Sequence, residues 1–277
     1  MKKTPARILA AAIALLLAIS LSCPRAESFE SAMARAIREM QDVKSQHTDM
    51  IMSVDMTLTA AGESVEMPIS TSVSMDSVNE PLAAHAVMDT VAMGQPSRME
   101  YYVEQSGEGY TAYMSTDAVN WTAMSMDAGG LGQLSAAEGL EFYLRCASAF
   151  EKVGEEEVRG ATASRYDGEI PADMLAEALE RSGAYSMVEG LGVSEDSTEG
   201  LTSGMGLSIY LDNETGLPVR YDIDMTDLMR EMMEATLAAV GAGDAMSWEI
   251  GEASVSVTLS EFNGIDAIEI PDAARGA

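Results

Sequence analysis

The chain predicts an α+β, β-rich fold built on one long antiparallel sheet. Three observations carry that prediction. Apolar and polar residues alternate over long runs, as in Met50, Met52, Val54, Met56 and Leu58 against Ser53, Asp55, Thr57 and Thr59. Successive runs are joined by short turns, the connection antiparallel strands use. Only four segments, 27–44, 135–150, 172–182 and 227–240, read as helices.

In chain order, residues 27–44 form an amphipathic helix, with Phe29, Met33, Ala36, Ile37, Met40 and Val43 at three- and four-residue spacing. The first strand starts by Met50. A turn at Ala60-Ala61-Gly62-Glu63 leads to a second strand carrying Val65, Met67, Ile69, Thr71, Val73 and Met75. Residues 82–93 and 97–105 are strands three and four. A further hairpin over 109–115 and 120–126 bends at Asp117-Ala118 and carries Trp121. Ser135-Ala-Ala-Glu138 is a capping box that opens a helix to about Phe150. Its apolar arc (Leu140, Phe142, Tyr143, Leu144, Cys146, Phe150) is wide enough to require cover on more than one side.

Strands return at 151–159 and 161–168, and Pro171 opens the helix over 172–182. Residues 189–206 are rich in Gly, Ser and Glu and lack periodicity, so they read as a mobile loop within one domain spanning 23–277. Strands 207–211 and 218–225 flank a turn, Asp212-Asn-Glu-Thr-Gly216. Asp227 begins a methionine-rich helix with Leu228, Met229, Met232, Met233, Leu237 and Val240. Residues 248–262 form the last long strand, and Ile268-Glu-Ile-Pro271 reads as the end of the ordered chain.

The amino terminus carries a different signal. Lys2, Lys3 and Arg7 precede an uncharged apolar run from Ile8 to Leu21, too short to cross a bilayer. Ser20-Leu21-Ser22-Cys23 follows, so residues 1–22 read as an export signal and Cys23 as the residue that carries lipid after cleavage. Ser20 stands where a lipobox usually has an aliphatic residue, and the alternative is ordinary signal cleavage and secretion. The protein is therefore expected on the outer face of the cytoplasmic membrane, tethered at Cys23. Cys146 is the only other cysteine. It reads as a small buried hydrophobe, and a bridge to Cys23 is open only if Cys23 stays unmodified.

Charge narrows the partners. Residues 1–22 hold three of the 16 basic residues and none of the 45 acidic ones, so the mature chain carries a formal charge near −32. That field repels nucleic acid and anionic lipid headgroups and argues against polyanions as ligands. Aromatic residues make up 5% of the chain, too few for a stacked-ring sugar site, whereas methionine supplies 22 residues and suits an adaptable interior.

No catalytic, metal or cofactor constellation is present in the sequence. It has no Gly-x-Ser-x-Gly, His-Glu-x-x-His or Cys-x-x-Cys motif and no phosphate loop. His47 and His85 show no acidic partner in the sequence and read as surface or rim residues. Asp222 and Asp224 share a strand face, a chance pairing among so many carboxylates. Met-x-Met pairs such as Met50/Met52 and Met124/Met126 are what one apolar strand face produces, and packing outweighs copper binding. No enzyme is expected.

Several motifs carry a resemblance. Leu211-Asp-Asn-Glu-Thr-Gly-Leu-Pro218-Val-Arg220-Tyr221 resembles the late hairpin of the LolA-like lipoprotein-carrier superfamily. The Tyr110–Trp121 hairpin, the Gly160–Tyr166 strand and Glu261-Phe-Asn263 are similar to segments of methionine-rich Gram-positive lipoproteins. The resemblance implies a curved, open half-barrel with helices packed on its concave face and acyl chains held between sheet and helices. The expected ligand is then a lipid or lipopeptide, and Met50, Met52, Met56, Met67, Met75, Met99, Met229 and Met233 are candidates for the lining. The alternative is a packed core without ligand, in a lipoprotein that presents its surface to another envelope protein.

Overall fold

The computed structural model describes residues 27–107, 109–126, 136–146, 149–175, 177, 202–239 and 246–277. The export signal, Cys23, most of the loop at 189–206 and most of the helix expected over 172–182 lie outside them. Its elements are α1 (Phe29–Gln41), β1 (Ser45–Ala60), β2 (Glu63–Glu66), β3 (Ile69–Asn79), β4 (Leu82–Ala92), β5 (Gln95–Ser106), β6 (Gly109–Ser115) and β7 (Thr122–Met126). They continue with α2 (Ala136–Arg145), β8 (Glu151–Val158), β9 (Ala161–Ile170), β10 (Met205–Asp212), β11 (Pro218–Asp224), α3 (Thr226–Ala239), β12 (Met246–Ser260) and α4 (Asp272–Arg275).

All twelve strands belong to one curved antiparallel sheet in the order β7-β6-β5-β4-β3-β1-β12-β11-β10-β9-β8, with β2 paired to β1. The sheet is a meander read from β8 to β12 and then from β1 to β7. The β1·β12 pairing, Met50 opposite Val257, joins the two halves. The sheet does not close, because β7 and β8, its two edges, are not paired with each other. Irregular register at Asp55/Met56, Lys152/Gly154 and Tyr210/Leu211 adds bend and twist.

The expected α+β, β-rich class is what the chain adopts, and two local expectations need correction. The single strand expected from Val65 to Met75 is two, β2 and β3, because Pro68 has no N–H to contribute to the ladder. The ordered chain also continues past Pro271. Ile270 and Ala274 are buried against Tyr102 and Tyr113, and Arg275 Nη2 donates to Glu104 at 3.0 Å.

The helices α1, α2 and α3 pack on one face of β9–β12. Phe29 of α1 stacks on Phe150 with ring centroids 4.5 Å apart and meets Tyr166 at 5.4 Å. Gly168 is required where this aromatic layer crosses β9. A Cβ there would stand 2.5 Å from the Phe150 ring. Gly168→Ala should therefore lower stability by about 1–3 kcal/mol through overpacking, read as a lower urea midpoint. The expected hairpin turn at 212–216 forms. Asp212 accepts from the Glu214 and Thr215 amides at 2.9 and 2.6 Å, and Gly216 adopts φ +79°.

Candidate functional site

Strand parity and register divide the sheet into two chemically different faces. Met50 of β1 stands opposite Val73, Val73 opposite Met88, and Met88 opposite Met99. The adjacent row is Thr48, Met75, Ala86, Tyr101 and Met114. On the other side of the first row lie Met52, Thr71, Thr90 and Ser97, with the two threonine hydroxyls 3.1 Å apart. Where β1 pairs with β3, and across β3 to β6, no Asp, Glu, Lys, Arg or His occupies a paired position on this face. In a chain with 45 acidic residues, that uncharged field is the most selective feature of the fold.

The face has a packed half and an open half. Over β9–β11 it is filled by Leu140, Phe142 and Cys146 of the α2 segment, Leu228 and Met232 of α3, and α1, all in one buried cluster with Ile170, Leu207 and Ile209. The Cys146 thiol lies 3.5 Å from the Met174 sulfur, and burial pushes its pKa up, consistent with packing and not reactivity. Across β3–β6 the larger side chains of this face are only half-buried. Met50, Met75, Met88, Met99, Tyr101 and Met114 lie outside every buried cluster of the described residues.

The eight candidate methionines consequently split. Met52, Met56, Met67, Met229 and Met233 converge with Val54, Ile250 and Ala253 in one packed cluster beneath α3. Met50, Met75 and Met99 lie on the open half. Met88 and Met114 join them there and were not singled out from the sequence, although the alternation within β4 and β6 places both on this face. The Tyr101 hydroxyl donates to the Met99 sulfur.

The opposite face is polar. The two histidines are not isolated rim residues, because the register gives them carboxylates. His47 Nδ1 lies 2.6 Å from Asp76 and its Nε2 3.2 Å from Asp49, while Asp49 also pairs with Arg159. His85 Nε2 lies 2.8 Å from Glu100, and its ring stacks on Tyr102 at 4.3 Å. Burial alone would lower the His47 pKa, but hydrogen bonds and charge from Asp76 and Asp49 outweigh it and raise the value above 6.5. Burial raises the Asp49 pKa, yet His47 and Arg159 together hold it below 3.8.

The linkage has a definite sign. The His47 contribution is fully present below pH 6.5 and is lost as pH rises through its raised value. The Asp49 contribution is present above 3.8 and is lost as pH falls through its lowered value. The urea midpoint should therefore fall as pH rises above 6.5 through the raised His47 value, and His47→Ala should flatten that change.

Next to this pair, β9–β12 form an open hollow of about 630 Å³ lined by Arg165, Ser208, Arg220, Asp222, Glu252 and Ser256, among others. Arg165 and Arg220 of this lining stand over the ring of buried Tyr210, with their guanidinium carbons 5.6 and 5.1 Å from its centroid. Asp222 accepts from the Tyr210 hydroxyl at 3.0 Å, Arg220 Nε at 2.8 Å and Ser256 Oγ at 2.7 Å. Arg165 is held by Asp167 and Glu156 at 2.6 and 2.8 Å. Burial and the Asp222 hydrogen bond push the Tyr210 pKa up to about 12, so it remains a protonated donor. Asp224, the other half of the carboxylate pair, accepts from the Thr226 amide at 2.9 Å at the start of α3. The hollow thus ties strands together through groups that already satisfy one another.

Among the described residues, no three His, Cys, Asp or Glu side chains are grouped to hold a metal ion. No described helix is long and apolar enough to cross a membrane.

Comparison with known proteins gives a distant likeness. DUF6612, a family of unknown function, matches residues 28–134. No curated protein matches the chain. Among solved structures, lipoprotein LppX of Mycobacterium tuberculosis is 15% identical, covering 87% of this chain and 97% of its own, with a TM-score of 0.44. LprF of Mycobacterium bovis is 11% identical, with coverages of 88% and 96% and a TM-score of 0.47. A LolA superfamily protein from Nitrosomonas europaea is 8% identical, with coverages of 88% and 96% and a TM-score of 0.21. All three overlays fall below 0.5, so the site is read from its own residues.

Proposed function

We propose that this protein is a non-catalytic, exported lipoprotein that holds a hydrophobic ligand, a lipid or lipopeptide, on the open half of its apolar sheet face. The observation that carries this reading is the uncharged, half-buried methionine field running from β1 across β3–β6 in a chain of formal charge −29. A soluble surface under such acidic pressure has no reason to exclude every charge from one face unless an apolar partner covers it. Unbranched thioether side chains re-pack around variable acyl chains at little cost.

Two features of this reading differ from the resemblance. The space between the helices and β9–β12 is occupied by side chains, so the ligand surface is the part of the sheet beyond that packed layer. The candidates Met50, Met75 and Met99, joined by Met88, contact the ligand. Met52, Met56, Met67, Met229 and Met233 shape the wall between the packed and open halves. The tether at Cys23, after removal of residues 1–22, holds this face near the bilayer from which a lipid ligand would come.

The test is mass spectrometry of organic extracts from purified protein lacking residues 1–22, with uptake of a fluorescent fatty acid measured in parallel. Co-purifying lipid and saturable uptake are expected. Neither lipid nor uptake would overturn the reading and favour an interaction protein without ligand.

A further inference from the structure

We infer that the open face is also an oxidation-controlled release surface, with Met88 and Met99 its operative thioethers. This inference rests on the ligand reading above. Among the described residues, two groups of methionines differ in packing. Met33, Met40, Met56, Met205 and Met232 are 0–8% exposed and lie within the packed clusters. Met50, Met75, Met88, Met99 and Met114 are half-buried on neighbouring strands and outside those clusters, so a small oxidant reaches their sulfurs whenever the ligand is absent or mobile.

The chemistry is a two-electron oxygen transfer from a peroxide. A sulfur lone pair attacks the hydroxyl oxygen of the peroxide, the S–O bond forms as the O–O bond breaks, and that hydroxyl's proton passes to the other oxygen, which leaves as water or an alcohol. Sulfur is oxidised and the peroxide reduced. Each event converts an apolar thioether into a polar sulfoxide. On this face that change is costly to the bound ligand, because a sulfoxide oxygen under an acyl chain would have to give up water without a replacement donor. Met99 is the exception. The Tyr101 hydroxyl already donates to its sulfur and is placed to donate to the sulfoxide oxygen instead. The cross-strand partners Met88 and Met99 therefore have different roles. Oxidation of Met88 breaks the apolar contact, and oxidation of Met99 yields a product the face itself stabilises.

The experiment titrates the purified protein with hydrogen peroxide and maps sulfoxides by peptide mass spectrometry, with fluorescent fatty-acid binding measured on the same samples. Met93, 60% exposed in the β4–β5 turn, is the internal reference for free reactivity. Met88 and Met99 should oxidise within about tenfold of the Met93 rate, and Met33 and Met232 at least about tenfold slower than the face. Probe affinity should fall at least about tenfold in step with Met88 oxidation, with far-ultraviolet circular dichroism unchanged. Measured against its own affinity before peroxide, Met88→Leu/Met99→Leu should lose most of the peroxide-induced fall in probe binding, whereas Met93→Leu should keep both binding and sensitivity. Uniform oxidation of all methionines, or undiminished binding once Met88 and Met99 are oxidised, overturns the inference. Absence of probe binding before any peroxide is added is a different result, because it removes the ligand reading itself and the release role with it.

Discussion

Met88→Glu should abolish most hydrophobic-ligand binding while leaving the protein folded. Met88 is central to the open face, between Val73 and Met99 in its row, and no charged side chain occupies that face on β3, β4 or β5. A carboxylate there must lose water beneath the acyl chain, with no basic partner on the face. A loss of about 2–3 kcal/mol, or about 30- to 150-fold in fatty-acid affinity, is expected. In the free protein the position is only half-buried and outside the packed clusters, so the cost in stability should stay below about 2 kcal/mol. The control is Val91→Glu on the same strand. Val91 has the opposite parity and is 45% exposed, on the face that already carries Asp89 and Arg98. Equal binding losses from both substitutions would show that charge acts through the whole protein and not through the face.

Ile209→Ala should be the most destabilising single truncation in the packed half. Ile209 is fully buried on β10, with Tyr166 and Tyr221 as its neighbours across the ladder. It belongs to the cluster that ties α1, α2 and α3 to the sheet. Collapse into the vacated space is opposed by central strands on both sides, which puts the cost near the upper part of the usual range, about 3–4 kcal/mol. That is a large fraction of the stability of an ordinary domain. A shift of the urea midpoint with an unchanged slope is the expected signature. Fatty-acid affinity of the fraction that remains folded should be unaltered, because the packed and open halves share the sheet and not the ligand.

The strands were legible in the sequence because a half-covered sheet enforces a two-residue period, and β1, β3 and β5 show it without ambiguity. The helices α1, α2 and α3 were legible from their wide apolar arcs. Register was not. His47 and Asp76 are 29 residues apart and meet at 2.6 Å only because β1 and β3 pair as they do. Neither residue alone marks that contact. The same blindness hid the Met88–Met99 pairing. The β2/β3 break could have been read from Pro68, whose missing N–H outweighs the apolar alternation around it. The distinction between packed and open methionines was beyond sequence reasoning, since Met56 and Met50 sit on one face of one strand. Only the position of α3 over β12 and the adjoining part of β1 separates them.

The central claim is that an acyl ligand lies on one half of one sheet face. The most direct measurement is photocrosslinking with a fatty acid carrying a diazirine along its chain, followed by sequencing of the labelled peptides. Labels are predicted on Met50, Met75, Met88, Met99, Tyr101 and Met114, and not on residues of the opposite parity in the same strands. Labels gathered around Arg165, Tyr210 and Asp222, labels within the α1–α3 cluster, or no saturable labelling at all would contradict it.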